Sequence, residues 1–460
     1  MKTIFSKLLG NTAIFAIGNG ATLIVSFFMV PVYTHILSTS SFGISDLINT
    51  TVNMLLPVVS LNIFAAVFRW TLDEETNELE IFSNGLFITG IGAFTSIIIG
   101  LVLILFHVKY TWAIGINLGG VVLLNHFQNF ARGTDRIKLY ALSGVVSSVV
   151  NVLSNVVLMI VFKFGLTGYL ISLILSNYIA VLFLIVFGKL YHYWSRALIS
   201  KNVIRKMLRF SLPMIPNAFT WWMTNDASRL IILMFVGPAG NGLFAIANKI
   251  PSMITTVFNL FQNAWQISAV ETSKEKNVSR IYSITFNVVL GFLVFGSTII
   301  VSMIKLFMRY YVAPDFFIAW EFVPILLLTV TFSNASAFLG TTYLVAMKTK
   351  GLFTTTIWGT IINLSLSFIL IPLFGVHGAA ISGALGFLVV SVMRLKQTAR
   401  WIRIRIKWGL QLVLIVGYSA MTVIEYISAN AIILKIFVLI IMAGFLIVYL
   451  KSVRKFNFNK

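Results

Sequence analysis

The sequence predicts an all-α polytopic membrane protein of about 14 transmembrane helices, arranged as two parallel-repeat six-helix lobes plus two C-terminal helices. Three observations predict it. Apolar segments fill the chain from end to end, the basic residues between them alternate between two sides, and one phrase returns 210 residues after its first appearance. Hydrophobic residues make up 58% of the 460 and charged residues only 10%, which leaves almost no room for a soluble catalytic domain.

A spanning helix needs about 20 mostly apolar residues. That unit recurs at 10–35, 43–68, 82–106, 112–131, 139–161, 166–188, 211–236, 241–268, 281–306, 317–345, 352–373, 377–394, 407–427 and 431–450. The first segment is longer than the apolar region of a signal peptide and lacks an A-x-A-like end, so it reads as a retained helix. The second carries Asp46 just inside its outer end and Pro57 in its interior, and five acids crowd the loop after it: Asp73, Glu74, Glu75, Glu78 and Glu80. Segments one to six form an N-lobe, 1–188. The connector 189–210 sets Lys189, Arg196, Lys201, Arg205, Lys206 and Arg209 among Tyr191, Tyr193 and Trp194, an amphipathic stretch suited to the inner leaflet. The C-lobe, 211–394, carries Pro213 and Pro216 in helix 7 and Pro251 in helix 8. Each proline removes a backbone hydrogen bond and favours a kink. Pro57 and Pro251 fall in equivalent helices, so their kinks are either hinges or static packing features. A second basic run, Arg394 to Lys407, leads into 395–460, helices 13 and 14 with a basic cytoplasmic tail.

The repeat is the phrase F-G-x-x-G-x-x-I-S. Phe164, Gly165, Gly168, Ile171 and Ser172 return as Phe374, Gly375, Gly378, Ile381 and Ser382. Asn151 and Asn363 match at an offset of 212, and Gly43 to Asn49 matches Gly242 to Asn248 at 199. Each pair occupies the same place within six helices. Six is even, so both repeats enter the membrane in one sense, a layout that places a transporter's substrate site at the repeat interface. Gly168 and Gly378 are expected to sit in equivalent tight turns.

Charge sets the orientation. With the N-terminus inside, 27 of the 34 Lys and Arg fall on inner loops or inner helix ends. Five fall outside: Lys109, Lys163, Lys305, Arg309 and Lys435. Positive loops stay in the cytoplasm, so both termini are expected there. The net charge of +21 is then topology plus attraction to anionic lipid heads, and its thin spread over inner loops argues against nucleic acid as a partner. Cysteine is absent, the five His lack metal-ligand spacing, and no G-x-x-x-x-G-K-[ST] occurs. No cofactor, metal or enzymatic activity is expected, and Asn-x-Ser/Thr triplets such as the one at Asn363 lie in helices or inner loops.

An ionisable side chain inside a membrane segment is a functional hypothesis by default, since insertion scales put its penalty at ~2.5–3.5 kcal/mol. Asp226 and Arg229, three apart on helix 7, share a face. Arg229 lies seven residues before the end of its segment and Lys249 eight after the start of the next, so both sit ~10–12 Å below the outer end of one hairpin. The three charges sum to +1. They are either an internal salt bridge with Lys249 reaching outward, or a cationic site for an anionic head group. Asn217, Asn225, Asn248 and Gln262 suit sugar hydroxyls or helix–helix hydrogen bonds. Trp221 and Trp222 can stack on a sugar or pack between helices. Glu425 sits near the outer end of helix 13.

Several stretches together resemble the polysaccharide transporter family, the Wzx-type oligosaccharide-lipid flippases of the multidrug/oligosaccharidyl-lipid/polysaccharide exporter superfamily. They are Pro31-Val-Tyr-Thr-His-Ile-Leu-Ser-Thr-Ser-Ser-Phe-Gly43, Ser211-Leu-Pro-Met-Ile-Pro-Asn217, Lys348-Thr-Lys350, Asn363, Ile371-Pro-Leu-Phe-Gly375 and Gly378-Ala-Ala380. The resemblance spans essentially the whole chain. It implies two six-helix lobes around a central cavity, two extra helices, and movement of an undecaprenyl-diphosphate-linked oligosaccharide to the outer leaflet. Arg229 and Lys249 match the family's basic positions. Where family members often carry Asp directly before the helix 7 Arg, this chain has Ser228, and its acid is Asp226. Substrate-binding candidates are thus Arg229, Lys249, Asp226, Asn225, Asn248 and Asn217, with Asp46, Pro57 and Pro251 as coupling or gating candidates. Expected partners are the lipid-linked oligosaccharide, membrane lipids, a polysaccharide polymerase and glycosyltransferases. The alternatives are a peptidoglycan-precursor flippase, a drug/cation antiporter of the same superfamily, which needs embedded carboxylates, and a non-transporting scaffold of a glycan-assembly complex.

Overall fold

Where they are described, the apolar segments are mostly helix in the computed structural model of the protein, which describes residues 25–73, 76–105, 109–272, 277–346 and 348–457. No strand occurs among those residues. Of the first segment, residues 10–24 lie outside the described residues, as do Glu74 and Glu75; the segment's end is α1 (Val25–Ile36). Then follow α2 (Thr39–Val59), α3 (Ile63–Thr71), α4 (Glu78–Leu105), α5 (Thr111–Gly133), α6 (Ile137–Asn155) and α7 (Gly165–Phe187). The connector contains α8 (Lys201–Ser211). Beyond it run α9 (Ile215–Phe235), α10 (Pro238–Ala247), α11 (Lys249–Glu271), α12 (Val278–Tyr311), α13 (Val323–Val345), α14 (Thr349–Phe374), α15 (Val376–Thr398), α16 (Trp408–Ile427) and α17 (Ile432–Asn457). Among the described residues, ten helices are long and apolar enough to cross a membrane, and α10 with α11, bent by 42°, makes an eleventh if counted as one span. The protein is a multi-pass membrane protein. α5 and α9 are long enough but more polar, with Asn117, Asn125, His126, Gln128 and Asn129 on one and Asn217, Asn225, Asp226 and Arg229 on the other.

The prolines act differently from one another. Pro213 lies in the 3-10 turn Leu212–Met214 that joins α8 to α9, and Pro216 lies in the first turn of α9. Pro251 lies in the first turn of α11. It cannot donate to the carbonyl of Ala247, and the chain breaks there. Helix 2 breaks beyond Pro57, at Leu61 and Asn62, both in the left-handed region (φ 49° and 51°). By the 199-residue offset, the equivalent of the Asn248 break is Asn49, which lies in unbroken α2. The two breaks therefore stand at different levels of their helices.

The chain divides into two compact units, 1–229 and 230–460, with the boundary inside α9. In the first, Phe82, Phe127 and Phe130 pack with Leu190 and Met207 of the connector, so the connector belongs to the core. Asn84 on α4 brackets it: the amide Nδ2 donates to Leu198 O (2.9 Å) and Oδ1 accepts from Ser200 N–H (2.8 Å). Ser83 accepts from Ser195 N–H and donates to Tyr193 O. Arg136 Nη1 donates to Gly188 O.

The second unit repeats the device. Asn287 on α12 donates from Nδ2 to Arg405 O (2.8 Å), and its Oδ1 accepts from Lys407 N–H (2.8 Å). Ser279 and Ser283 accept from Arg403 and Arg405 N–H. Two extended residues rise about 6.6 Å. Four helical residues rise about 6 Å, so alternate connector residues meet Ser279, Ser283 and Asn287 in step. The segment 401–407 alternates accordingly. Ile402 is buried and Ile404 and Ile406 are half-buried, while Arg403, Arg405 and Lys407 are exposed. Ile402 joins Trp265, Tyr282, Phe286 and Phe338 in the core of this unit. Arg394 does not belong to the solvated basic run. α15 continues to Thr398, and the buried Arg394 guanidinium donates to Thr355 Oγ1, Thr356 Oγ1 and Ser336 O.

The duplicated phrase has matching geometry in both places. Gly165 and Gly375 turn the chain at φ +51° and +57°, and Ser172 and Ser382 donate to Gly168 O and Gly378 O. The turn glycines are thus Gly165 and Gly375, not Gly168 and Gly378. The latter lie one turn inside α7 and α15 and are small because a Cβ on Gly378 would come within 2.1 Å of Leu370 O, and one on Gly168 within 3.1 Å of Leu158 O.

Candidate functional site

Within the first unit, α9 lies against α2 along one polar face. Trp222 and Arg229, seven apart, share a face of α9; Asp46 and Thr50, four apart, share a face of α2. Trp222 Nε1 donates to Thr50 O (3.1 Å) and Arg229 Nη1 donates to Asp46 Oδ2, so the helices run antiparallel at this contact. Trp222 is buried and stacks on Phe219, which is the packing alternative; the side chain of Trp221 lies outside the described residues.

Arg229 also faces Asp226, with Nε 3.4 Å from Oδ1, an ion pair without hydrogen-bond alignment. The three side chains are only 18–30% exposed, so the cluster is largely withdrawn from solvent. The sequence pairs Arg229 with Asp226 alone. The structure adds Asp46, and the three charges sum to −1.

A polar network extends from this cluster. The Tyr169 phenol lies close to Ser45 and Asn49 of α2 and within electrostatic reach of Asp46. The Tyr169 ring meets Tyr33 edge-on at 5.0 Å. Tyr33 donates to Asn151 Oδ1 (3.4 Å) and accepts from Asn155 Nδ2 (3.2 Å). Of these residues Asp46 is marked by its charge, Asn49 and Asn151 by their matches to Asn248 and Asn363, and Tyr33 by its place in the Pro31 to Gly43 stretch. Tyr169 carries no signal of its own, since aromatic residues are common in membrane helices.

The other candidates are dispersed. Asn217 and Asn225 are exposed on α9. Asn248 stands at the α10–α11 break and donates back to Phe244 O, and Lys249, half-buried, begins α11 in the second unit. Gln262 is a helix–helix tie, donating to Thr341 Oγ1 and Ala337 O of α13. Glu425 is buried in an ion pair with Lys435. Among the described residues no group of three or more His, Asp or Glu is placed to hold a metal ion.

Residues 8–266 match the family described as polysaccharide biosynthesis protein. No curated protein matches the chain in sequence. Among solved structures, the fold is similar to that of the lipid II flippase MurJ in an inward closed conformation, at a TM-score of 0.66 and 11% identity, over 98% of this chain and 100% of that one. It is also similar to an inward-facing multidrug resistance MATE family transporter of the MOP superfamily, at 0.63 and 14%, over 84% and 94%. A point mutant of the Vibrio cholerae MATE transporter VcmN matches at 0.59 and 12%, over 87% and 98%. At these identities the likeness is one of fold.

Proposed function

Because the chain belongs to the polysaccharide biosynthesis protein family, we propose that it is a flippase moving an undecaprenyl-diphosphate-linked oligosaccharide from the inner to the outer leaflet of a bacterial cytoplasmic membrane. In this reading fourteen helices with both termini cytoplasmic form two six-helix lobes and an appended pair, and the lobes alternate access. Glycosyltransferases supply the substrate and a polysaccharide polymerase consumes it. The lobes take the lengths read from the sequence, 1–188 and 211–394, joined by 189–210.

One observation carries the reading: a guanidinium on the polar helix α9, Arg229, held by two carboxylates. A bare cation there is costly, and its two acids more than offset its charge while no substrate is bound. A diphosphate offers many acceptor oxygens, and guanidinium can grip phosphate through two parallel donors. Substrate can therefore replace an acid on Arg229, with Lys249 as a point-charge partner. The exposed Asn217 and Asn225 suit glycan hydroxyls, as does Asn248. Anionic charge moving outward runs down an inside-negative potential, worth ~2.3 kcal/mol per charge per 100 mV, so transport needs no ATPase.

The test is complementation of a strain lacking its glycan flippase, with membrane levels checked by blotting. Arg229→Ala should lose most of the surface glycan and Arg229→Lys part of it, and Lys249→Arg should be better tolerated than Lys249→Ala. If both Ala variants insert normally and restore wild-type glycan, the charges are structural and the mechanism is wrong. The placement of Asp46 and Asp226 around one guanidinium favours a second reading, exchange of a cation for substrate. Flipping in proteoliposomes by Asp226→Asn separates the two. Retained flipping supports Asp226 as a tuning group, whereas abolished flipping together with lost H⁺ or Na⁺ dependence supports the antiporter.

A further inference from the structure

Five Lys and Arg fall outside the inner-side rule, and three of them, Lys305, Arg309 and Lys435, line one cavity. The cavity measures about 1210 Å³ and lies in the second unit, between the C-terminal part of α12 and the turn joining α16 to α17. Its acid is Glu425, so the lining carries an excess of two positive charges; Asp315, beside the lining Pro314, still leaves one.

The cations are not equivalent. Lys435 is buried and committed, donating to Glu425 and to Ser302 O. Lys305 is half-buried, its ammonium fixed 4.7 Å over the Trp320 ring, and Arg309, one turn further along α12, is exposed at the rim. The wall beside them is apolar and exposed: Met303 and Leu306 on α12, Ile432 and Ile436 on α17. Two available cations at the end of an apolar wall match an amphiphile with an anionic head.

We infer that this cavity binds the phosphate head group of an anionic membrane lipid, with Lys305 and Arg309 on the phosphate and the acyl chains along α12 and α17. Arg grips phosphate through paired donors and Lys acts as a point charge, so the two cations complement a phosphate head while the apolar wall covers its chains. The inference is independent of what the protein transports.

The test uses the full-length protein in neutral detergent and follows thermal unfolding with added phosphatidylglycerol, phosphatidylcholine or inorganic phosphate. Phosphatidylglycerol should raise the midpoint saturably, and the other two should not. In Lys305→Gln/Arg309→Gln the half-saturating concentration should rise about tenfold or more. Lys435 and Glu425 stay untouched, so the buried pair is preserved; if the double variant fails to fold, Arg309→Gln at the exposed rim gives the same comparison. Equal responses to the two lipids, or a variant that responds like wild type, overturn the site. A full response to inorganic phosphate alone overturns the lipid assignment and leaves a free-anion site.

Discussion

Lys435 and Glu425 show what a charge does when it is structural. Glu425 is fully buried, accepts from Lys305 N–H, and pairs with Lys435, which also reaches Ser302 O. Removing one member strands the other in low dielectric, at about 3–5 kcal/mol, whereas replacing both by apolar groups of similar size is often neutral. Glu425→Gln alone should therefore lower the thermal midpoint in detergent, and Glu425→Leu/Lys435→Met should recover most of the loss. Equal losses in the two would show that the pair holds nothing together. Arg229 differs in being partly exposed, so its substitution is expected to act on transport before stability. The sequence marks all of these residues as charges in apolar segments but not their partners. Asp46 stands 183 positions from Arg229, and only the fold brings the α2 face to α9.

At the scale of elements, local rules carry far where the chain turns and fail where it is tied down. The F-G-x-x-G phrase announces its two turns because a left-handed residue favours glycine. The break after α2 is silent, since Leu61 and Asn62 take a positive φ without glycine. The connectors are the clearest omission. Both read as basic stretches, yet each is bracketed by one asparagine through a carbonyl and the N–H two residues on, Asn84 with Leu198 and Ser200, Asn287 with Arg405 and Lys407. The period-two pattern Ile402, Ile404, Ile406 between basic residues was the available signal for an extended segment. Asn84→Ala and Asn287→Ala should each destabilise by about 1–3 kcal/mol per backbone group left unpaired and buried. Trypsin cleavage at Arg196 or at Arg403 should accelerate in the matching variant only; if both connectors loosen in either variant, the brackets are not local devices.

At the scale of the whole molecule, the alternation of charge and the apolar spans made the class of protein legible, because a bilayer restricts spanning structures so severely. The number of spans is harder to read. α5 and α9 are polar enough to fall short on hydropathy, and their polarity is what builds the candidate site on α9. Orientation is therefore the decisive whole-molecule test, since one misjudged helix would invert every loop beyond it. The chain has no cysteine, so single cysteines report cleanly. Ala239→Cys precedes the α10–α11 break and Ser428→Cys lies between α16 and α17, while Asn202→Cys lies in the connector. An impermeant thiol reagent applied to sealed cells should label the first two and spare the third, which should react only after permeabilisation. Labelling of Asn202→Cys in sealed cells, with the other two protected, would reverse the orientation. Labelling of Ser428→Cys without Ala239→Cys would mean that the helices between them do not all cross. In the expected pattern, Lys305, Arg309 and Lys435 stand on the side where the inner-side rule leaves basic residues rare, and their convergence on one cavity then requires a cause other than topology.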